Sequence, residues 1–304
     1  MPRSRPAIAA ALVAVCGACA TAETPGPPPA NRASSETAEG GAAAEPPSDD
    51  AAATAIPPVG TSDATMAPDA PTSCGSLPLC DGFEGDAVGS PPSGGGWSVV
   101  SPDCSGSGTL AVDDSQAHGG TRSVKVSGGG GYCDHVFLEA AAVVPELGSQ
   151  IYARFFVRLD AALGQGHTSF LAMTDAADGG KHVRMGGQDA ILMYNRESDD
   201  ATLPTLSQTG IGDTVAIAAG AWTCIELHID ESAGTIDTWV DGKEVPGLVE
   251  DGTPVADIST EWLSKTWRPT LTDFGLGWES YAGQAMTLWF DDVALASQRI
   301  GCGG

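Results

Sequence analysis

Apolar and polar residues alternate with a period of two in several short segments from residue 123 onward. This alternation places apolar side chains on one face of an extended strand, so each segment is predicted to be a β-strand. Asp241-Gly242, which follows one such segment, predicts a hairpin turn. The segments are SVKVS at 123–127, IYARFFVRL at 151–159, HTSFLAM at 167–173, TIDTWVDG at 235–242 and MTLWFDDVALA at 286–296.

Sustained helical periodicity is missing from the sequence, and the one short candidate for a helix lies at 257–265. Many short strands without intervening helices are typical of two packed antiparallel sheets. The sequence therefore predicts an all-β fold, a two-sheet antiparallel β-sandwich of the jelly-roll, concanavalin-like type.

The apolar pattern starts late in the chain. All 18 aromatic residues lie from Phe83 onward, and residues 19–73 consist mainly of Ala, Pro, Ser, Thr, Gly, Glu and Asp. Such a segment buries too little apolar surface to offset the entropy of ordering it. We expect a disordered linker at 19–73 and one folded domain at 74–304.

The first 18 residues have the pattern of an export signal. Arg3 and Arg5 precede the apolar run AIAAALVAV, which is too short to span a bilayer. Cleavage before Cys19 would leave a cysteine for lipid attachment, whereas cleavage after Ala20 by an ordinary signal peptidase is the alternative. We expect a secreted protein or a cell-envelope lipoprotein whose membrane contact is only this anchor.

Export determines how the remaining six cysteines are interpreted. An even number in an oxidising compartment predicts three disulfides, although spacing alone leaves the pairing open. A metal–thiolate site is the weaker alternative because no CxxC pair occurs among them. The six are Cys74, Cys80, Cys104, Cys133, Cys224 and Cys302.

The formal net charge of −25 excludes the basic surface of a nucleic-acid-binding protein. Against this acidic background, residues 179–198 (GGKHVRMGGQDAILMYNRES) concentrate basic and amide side chains. In a strand, His182 and Arg184 share one face while Val183 points to the core. The following Gly186-Gly187 pair is expected to break the strand or to introduce a bulge.

The mixture of imidazole, guanidinium, amide and phenol groups in this segment suits the hydroxyl and carboxylate groups of sugars. The alternative is an ordinary solvated sheet face with Arg–Glu pairs. A solvated face more often uses Lys and Glu, so we favour a carbohydrate site.

Several long strings resemble one known family, the cellulose-induced (cip-type) secreted core domain. The similarity extends over roughly 81–303 and is carried by SPDCSGSGTL, AHGGTRSVKV, GYCDHVF, GGKHVRMGGQ, YNRESDDATLP, FGLGWESYAG and LWFDDVALASQRIGCG. The resemblance implies a β-jelly roll related to the glucuronan lyases and, more distantly, to the alginate lyases. It also implies disulfides between Cys104 and Cys133 and between Cys224 and Cys302, and leaves Cys74–Cys80 as an additional pair outside the matched core.

The same resemblance implies a structural calcium ion. Glu84 and Asp291 would supply carboxylates, and Gly119 and Arg122 would supply main-chain carbonyls, which are the hard oxygen ligands that calcium prefers. The ion would hold the two ends of the domain together. The alternative is that both acids merely stabilise turns.

The leading functional hypothesis is a polysaccharide lyase that cleaves a uronate-containing plant or microbial glycan by β-elimination, or binds it. The reaction needs a group that neutralises the uronate carboxylate, a base and an acid. The candidates for neutralisation are Arg184, Gln188 and Asn195; for the base, His167 or His182; for the acid, Tyr194 or Tyr281. Further substrate contacts are expected from Arg196, Glu197, Trp278 and Glu279.

Two alternatives remain open at this level. A non-catalytic carbohydrate-binding protein that assists cellulose or hemicellulose breakdown would use flat aromatic faces, for which Trp262, Trp267, Trp278, Tyr281 and Trp289 are candidates, with core packing favoured for Trp289. A glycoside hydrolase would use Glu197 and Glu279 as its carboxylate pair. In each case we expect a monomer whose partner is a polysaccharide.

Overall fold

A computed structural model of the protein describes residues 74–104 and 106–303. The predicted signal peptide, the linker and Cys19 lie outside these residues. The described part contains two antiparallel sheets, of eight and seven strands, and confirms the predicted all-β sandwich.

The eight-stranded sheet runs β13-β12-β11-β6-β15-β4-β3, with β1 paired to β15. Its strands are β1 (Leu79–Asp81), β3 (Thr109–Asp113), β4 (Ser123–Gly128), β6 (Gln150–Leu159), β11 (Trp222–Asp230), β12 (Thr235–Val240), β13 (Lys243–Glu244) and β15 (Met286–Ala296).

The seven-stranded sheet runs β10-β9-β8-β7-β14-β5-β2. Its strands are β2 (Trp97–Val100), β5 (Val136–Ala140), β7 (Thr168–Asp175), β8 (Lys181–Gln188), β9 (Ile191–Arg196), β10 (Ala201–Leu203) and β14 (Phe274–Ser280).

The predicted strands and hairpin are present with small shifts of their ends. Asp241-Gly242 joins β12 to β13, and Trp239 pairs with Glu244 across the turn. The helix candidate at 257–265 is wrong, because this segment holds turns and one 3-10 turn at Trp262–Ser264. The α-helix of the described residues is α1 (Gln208–Gly212), where the Ser207 side chain accepts a hydrogen bond from the Gly210 N–H.

Apolar side chains from the inner faces of both sheets form the core. Phe155 of β6 lies at its centre, with ring centroids 6.0–6.3 Å from those of Phe170, Phe274 and Phe290. Val183 and Met185 of β8 belong to this core and are almost fully buried. The alternation in β8 therefore directs His182 and Arg184 to the outer face of the seven-stranded sheet.

The Gly186-Gly187 pair does not break β8, which continues to Gln188. The irregularity lies opposite, where the register of β7 shifts between Ser169 and Leu171. A Cβ atom at Gly186 would overlap the Thr168 carbonyl oxygen, so glycine is required for the two backbones to approach this closely.

The two ends of the domain are neighbours, as predicted. β1 pairs with the second half of β15, placing Cys80 beside Ala294. The described residues contain three disulfides: Cys104–Cys133 and Cys224–Cys302, which confirm the pairs that the resemblance implied, and the additional pair Cys74–Cys80. No helix among the described residues is long and apolar enough to cross a membrane.

Candidate functional site

We define the polar face as the part of the outer face of the seven-stranded sheet formed by β5, β14, β7, β8 and β9. The sheet register builds it, since Arg184 of β8 pairs with Asn195 of β9 and Glu279 of β14 pairs with Ser169 of β7. His135 lies at the start of β5 on the same face, next to Glu279. Residues separated by more than 140 positions in sequence thus meet on one surface.

Arg184 occupies the centre of the polar face and is only 4% exposed. Its Nη2 atom lies 3.2 Å from Glu197 Oε2, and its Nε atom lies 3.4 Å from Glu279 Oε2. The guanidinium therefore bridges two carboxylates. Removing the Arg184 charge would deprive the buried Glu279 of the guanidinium that lies against it.

Glu197 binds three basic groups at one side of the polar face. Besides Arg184, it contacts His182 Nδ1 and Lys181 Nζ, each at 3.0 Å, and it accepts the His182 backbone N–H at 2.8 Å. Burial opposes ionisation of Glu197, but these hydrogen bonds and the Arg184 charge outweigh it and lower its pKa. Glu197 is therefore a carboxylate at neutral pH.

Tyr281 and His167 lie side by side at the other end of the polar face. Their rings are stacked, with centroids 5.0 Å apart and planes 10° apart, and the Tyr281 N–H donates to the His167 carbonyl oxygen. The Arg184 guanidinium lies 5.2 Å from the Tyr281 ring centroid. Tyr281 is 44% exposed, so its ring is accessible to a ligand.

The protonation states of this pair follow from their surroundings. Burial, reinforced by the Arg184 charge, lowers the pKa of His167 to about 4, so the imidazole is neutral at neutral pH. Burial and the nearby Glu279 carboxylate raise the pKa of Tyr281, so the phenol keeps its proton. A neutral imidazole can accept a proton and a neutral phenol can donate one.

The polar face also concentrates buried polar atoms without a hydrogen-bond partner within the described structure. Buried polar groups are normally paired, with protein, water or a ligand. A set of this kind on one surface indicates a place for a polar ligand. The atoms are His135 Nε2, His167 Nε2, Ser169 Oγ and Asn195 Oδ1. His135 Nδ1 and Arg184 Nε also lack a hydrogen bond to any described residue, but they lie 3.5 and 3.4 Å from Glu279 carboxylate oxygens.

Most of the predicted catalytic residues lie together on this face: His167, His182, Arg184, Asn195 and Tyr281, with Glu197 and Glu279 among them. Gln188 is on the same side of β8 by alternation, half-buried and opposite Ile191 at the end of the strand. The structure brings these side chains together, and the catalytic role of each stays a prediction.

Tyr194 and Trp278 are wrong as site residues because both point into the sandwich core. Tyr194 is fully buried, and its hydroxyl bonds Thr238 Oγ1 of the opposite sheet at 2.8 Å. Trp278 is likewise fully buried, and its Nε1 donates to the Gln284 carbonyl oxygen. Each is adjacent in sequence to a residue of the polar face, and strand alternation sends it to the other side.

Arg196 is also wrong as a substrate contact. Its side chain is 1% exposed, and its Nη2 lies 2.7 Å from Asp199 Oδ2. Its Nη1 donates to the Trp262 carbonyl oxygen, and its guanidinium lies 4.9 Å from the Trp262 ring centroid. These contacts fix the turn after β9 rather than a ligand.

The tryptophans divide differently from the prediction. Trp262 and Trp267 are buried, so they offer no sugar platform. Trp289, expected in the core, is half-buried on the outer face of the eight-stranded sheet. Its neighbours Leu288 and Phe290 point into the core, so strand alternation directs the Trp289 side chain outward.

Sequence analysis named neither Tyr132 nor Ser169 of the polar face, and it left His135 open between lining the cleft and supporting the disulfide at Cys133. The Tyr132 ring lies 5.2 Å from both the His135 and the Tyr281 rings, measured between centroids. The string GYCDHVF carried a signal, because alternation from the core residue Val136 places His135 on the outer face. Nothing in the sequence pairs it with Glu279.

The residues predicted to hold calcium meet at one loop. Glu84 Oε1 accepts the backbone N–H groups of Thr121 and Arg122 at 2.7 and 2.8 Å. Asp291 Oδ2 accepts those of His118 and Gly119 at 2.7 and 3.1 Å. Asp291 is fully buried, and burial raises its pKa to about 6.

Comparisons with known proteins agree with this architecture. The family model described as "Polysacc_lyase-like: Cip1-like, core domain" matches residues 88–298. The solved structure of "Cellulose induced protein, Cip1" is similar, with 42% identity, a TM-score of 0.69, and coverage of 74% of this chain and 100% of that one.

A more distant solved structure, the endo-β-1,4-glucuronan lyase from the fungus Trichoderma reesei, shows 18% identity and a TM-score of 0.41 over 67% of this chain and 92% of that one. No curated protein sequence matches. The family match spans more than half of the chain and agrees with the 42% identical structure, so this protein belongs to the Cip1-like core-domain family of polysaccharide-lyase-like proteins.

Proposed function

We propose that the polar face is the active site of a lyase that cleaves a uronate-containing glycan by β-elimination. The observation that carries the proposal is the stacked His167–Tyr281 pair, in which a neutral imidazole with an unpaired Nε2 lies beside an accessible, protonated phenol.

The proposed reaction assigns one proton transfer to each ring. His167 Nε2 takes the proton from C5 of the uronate, the C4–O4 bond breaks, and the Tyr281 hydroxyl donates its proton to the departing O4. The product is an unsaturated uronate at the new non-reducing end. His182 is the competing base, but its Nδ1 is held by Glu197.

The Asn195 and Gln188 amides and the Arg184 guanidinium would bind the uronate carboxylate, which makes the C5 proton more acidic. Asn195 is 3% exposed, and its Oδ1 atom is among the unpaired buried atoms. The net charge of −25 opposes the approach of a polyanion, but charges are screened over about 8 Å at physiological salt.

The test is incubation of the folded domain with glucuronan, alginate, xylan and cellulose, followed by near-ultraviolet absorbance and a reducing-end assay. We expect an unsaturated, absorbing product from a uronate glycan. Tyr281→Phe should lower kcat by about 100-fold or more. Tyr152→Phe, on the other sheet where Tyr152 stacks on His228, is the matched control and should leave kcat unchanged.

Retention of activity in both His167→Gln and Tyr281→Phe would refute the assignment. Loss in His182→Gln with full activity in His167→Gln would move the base to His182. Absence of an absorbing product from every uronate glycan would refute the lyase.

A non-catalytic carbohydrate-binding protein is the second candidate, and one contact favours it. Arg184 already bridges Glu197 and Glu279, so part of its charge is used within the protein. This candidate predicts retention on a glycan column without new reducing ends or absorbance.

A hydrolase based on Glu197 and Glu279 is less favoured. A hydrolase needs one carboxyl group with a raised pKa to act as an acid. The pKa of Glu197 is lowered, and both side chains bind Arg184. Reducing ends without ultraviolet absorbance would contradict this preference.

We also propose a structural calcium ion beside the 118–122 loop. The fit is chemical, since Glu84 and the buried Asp291 bind neighbouring residues of that loop and Asp291 has no ion pair with Lys or Arg among the described residues. No group of three metal-binding side chains is found in the described residues, but the proposed shell needs only two side chains and two carbonyls. EDTA should lower Tm and calcium should restore it; unchanged Tm would refute the ion.

The three disulfides and the family membership support an extracytoplasmic location. Lipid attachment at Cys19 remains a proposal. Phase partitioning of the full chain against its Cys19→Ser variant tests it, and identical partitioning would contradict it.

A further inference from the structure

The outer face of the eight-stranded sheet carries a row of side chains that the proposed active site does not use. Strand register aligns Trp222 of β11 with Arg158 of β6, Arg158 with Trp289 of β15, and Trp289 with Lys125 of β4. All four side chains are half-buried. We call Trp222, Arg158, Trp289 and Lys125 the Trp/cation row.

The row alternates a flat aromatic ring with a cation from strand to strand. Neighbouring strands are about 4.8 Å apart, so the two tryptophans, two strands apart, are separated by about 10 Å. This separation is close to that of alternate rings in a β-1,4-linked sugar chain. The Trp289 ring is held in place, because its Nε1 donates to Asp113 Oδ2 at 2.9 Å and Lys125 Nζ lies 5.5 Å from its centroid.

A second row, of hydroxyl groups, runs beside the first. Thr287 of β15 pairs with Ser127 of β4, and Ser127 pairs with Thr109 of β3. At the Lys125 end, a cavity of about 290 Å3 is lined by Thr109, Asp113, Lys125 and Ser127, with Ala111, Val112, Val88 and Gly89. Hydroxyl groups beside aromatic rings suit the hydroxyls and apolar faces of sugars.

The cations of the row are not consumed by ion pairs. Neither Lys125 nor Arg158 has a carboxylate oxygen within salt-bridge distance in the described part of the chain, whereas Lys181, Arg184, Arg196, Lys265 and Arg299 do. The Lys125 charge nevertheless lowers the pKa of the neighbouring Asp113, which holds Trp289, so Arg158 is the less compensated cation of the row. Among residues 74–104 and 106–303, Arg158 donates to the Gly220 carbonyl oxygen, and its buried Nε atom has no hydrogen-bond partner. On a chain with a net charge of −25, two cations on one row, with Asp113 as the carboxylate beside them, form a local site for anions centred on Arg158.

We propose that the Trp/cation row is a second carbohydrate-binding site, distinct from the polar face, for a glycan chain that carries carboxylates. Sugar rings stack on Trp222 and Trp289, and uronate carboxylates bind Arg158 and Lys125. The chain runs across the strands toward the cavity beside Lys125. The site retains substrate on the sheet opposite the proposed active site.

The ordinary alternative is that these residues only stabilise the sheet, since cross-strand cation–aromatic pairs do so without any ligand. Binding measurements separate the two. The probes are polyglucuronate, a neutral soluble β-glucan, and polyglutamate, which carries carboxylates without sugar rings. Measurements use biolayer interferometry with the domain in a Tyr281→Phe background, so that any turnover is suppressed.

We expect the Trp222→Ala/Trp289→Ala variant to bind polyglucuronate about tenfold more weakly. Lys125→Gln/Arg158→Gln should weaken polyglucuronate but not the neutral glucan, and polyglutamate should bind weakly to every variant. Trp239→Ala is the matched control, because Trp239 lies on the same face outside the row, under the Arg299 guanidinium at 4.2 Å. The Trp239→Ala variant should bind polyglucuronate as tightly as the Tyr281→Phe domain with an intact row.

Unchanged polyglucuronate affinity in the row variants would overturn the proposal. An equal loss of affinity in Trp239→Ala would also overturn it, as would equal affinity of the unsubstituted row for the neutral glucan and for polyglucuronate. If the tryptophan variant does not fold, the Lys125→Gln/Arg158→Gln variant decides. Row-dependent binding, together with no lyase product from the domain that retains Tyr281, would refute only the proposed lyase. Lyase activity without row-dependent binding would refute only the second site.

Discussion

His167 makes the folding stability of the domain depend on pH in a way that can be calculated. Its pKa is about 6.5 in an unfolded chain and about 4 in the folded protein, where burial and then the Arg184 charge oppose protonation. Below pH 6.5 the unfolded chain therefore binds a proton that the folded protein does not bind. The resulting loss of folding stability is absent above pH 6.5, grows as the pH falls, and levels off below pH 4.

Linkage gives the size of this effect. Between pH 7 and pH 5 the difference in proton binding at His167 lowers the free energy of unfolding by about 2 kcal/mol. His167→Gln removes the titrating group while keeping a polar side chain. From pH 7 to pH 5, the unfolding free energy should therefore decrease less in His167→Gln than in the wild type. We expect the two decreases to differ by about 2 kcal/mol.

The assay is equilibrium urea unfolding followed by tryptophan fluorescence, with the disulfides intact, at pH 7 and at pH 5. Tyr281→Phe is the control, because it keeps a ring stacked on His167 and should retain the wild-type pH dependence. Identical pH dependence in the wild type and His167→Gln would refute the reasoning. If His167 is the base, kcat/KM should also remain high to about pH 4 and fall below it.

Three further substitutions test other parts of the structure. Tyr194→Phe removes the hydrogen bond to Thr238 and should cost about 1 kcal/mol of stability by urea unfolding without changing kcat; a large loss of kcat would contradict its position in the core. Arg184→Gln removes the guanidinium that lies between Glu197 and Glu279 and should lower the unfolding free energy by about 3 kcal/mol and abolish activity; wild-type stability would contradict the bridging contact. Replacing both Cys224 and Cys302 by Ala opens a loop of sequence separation 78 and should cost about 4 kcal/mol, and an unchanged urea midpoint would contradict this.

Strand positions were predictable from sequence because alternation is a local property. The segment at 286–296 matches β15 throughout, and Asp241-Gly242 forms the expected turn. The helix candidate at 257–265 failed because a short apolar pattern does not by itself select a helix. Tertiary packing instead holds that segment as turns around the buried Trp262.

Side-chain direction was predictable only where alternation was followed strictly. His182 and Arg184 were placed by it, whereas Tyr194, Arg196 and Trp278 were chosen for their chemistry although alternation sends them to the opposite side. Contacts between distant strands were not predictable from local pattern at all. The approach of His135 to Glu279 depends on the pairing of β5 with β14, which a single sequence does not encode locally.

The two outer faces differ in how they can attract an acidic glycan. On the polar face each strong charge is met within the protein, since Arg184 lies between Glu197 and Glu279, so this face discriminates by short-range hydrogen bonds and ring contacts. On the opposite face Arg158 donates to a backbone carbonyl oxygen and forms no salt bridge among the described residues, whereas Lys125 shares its charge with Asp113. A chain with a net charge of −25 repels a polyanion beyond the screening length of about 8 Å. Retention of such a substrate therefore depends on local cations that the protein has not fully neutralised, and the Trp/cation row supplies Arg158 and, in part, Lys125.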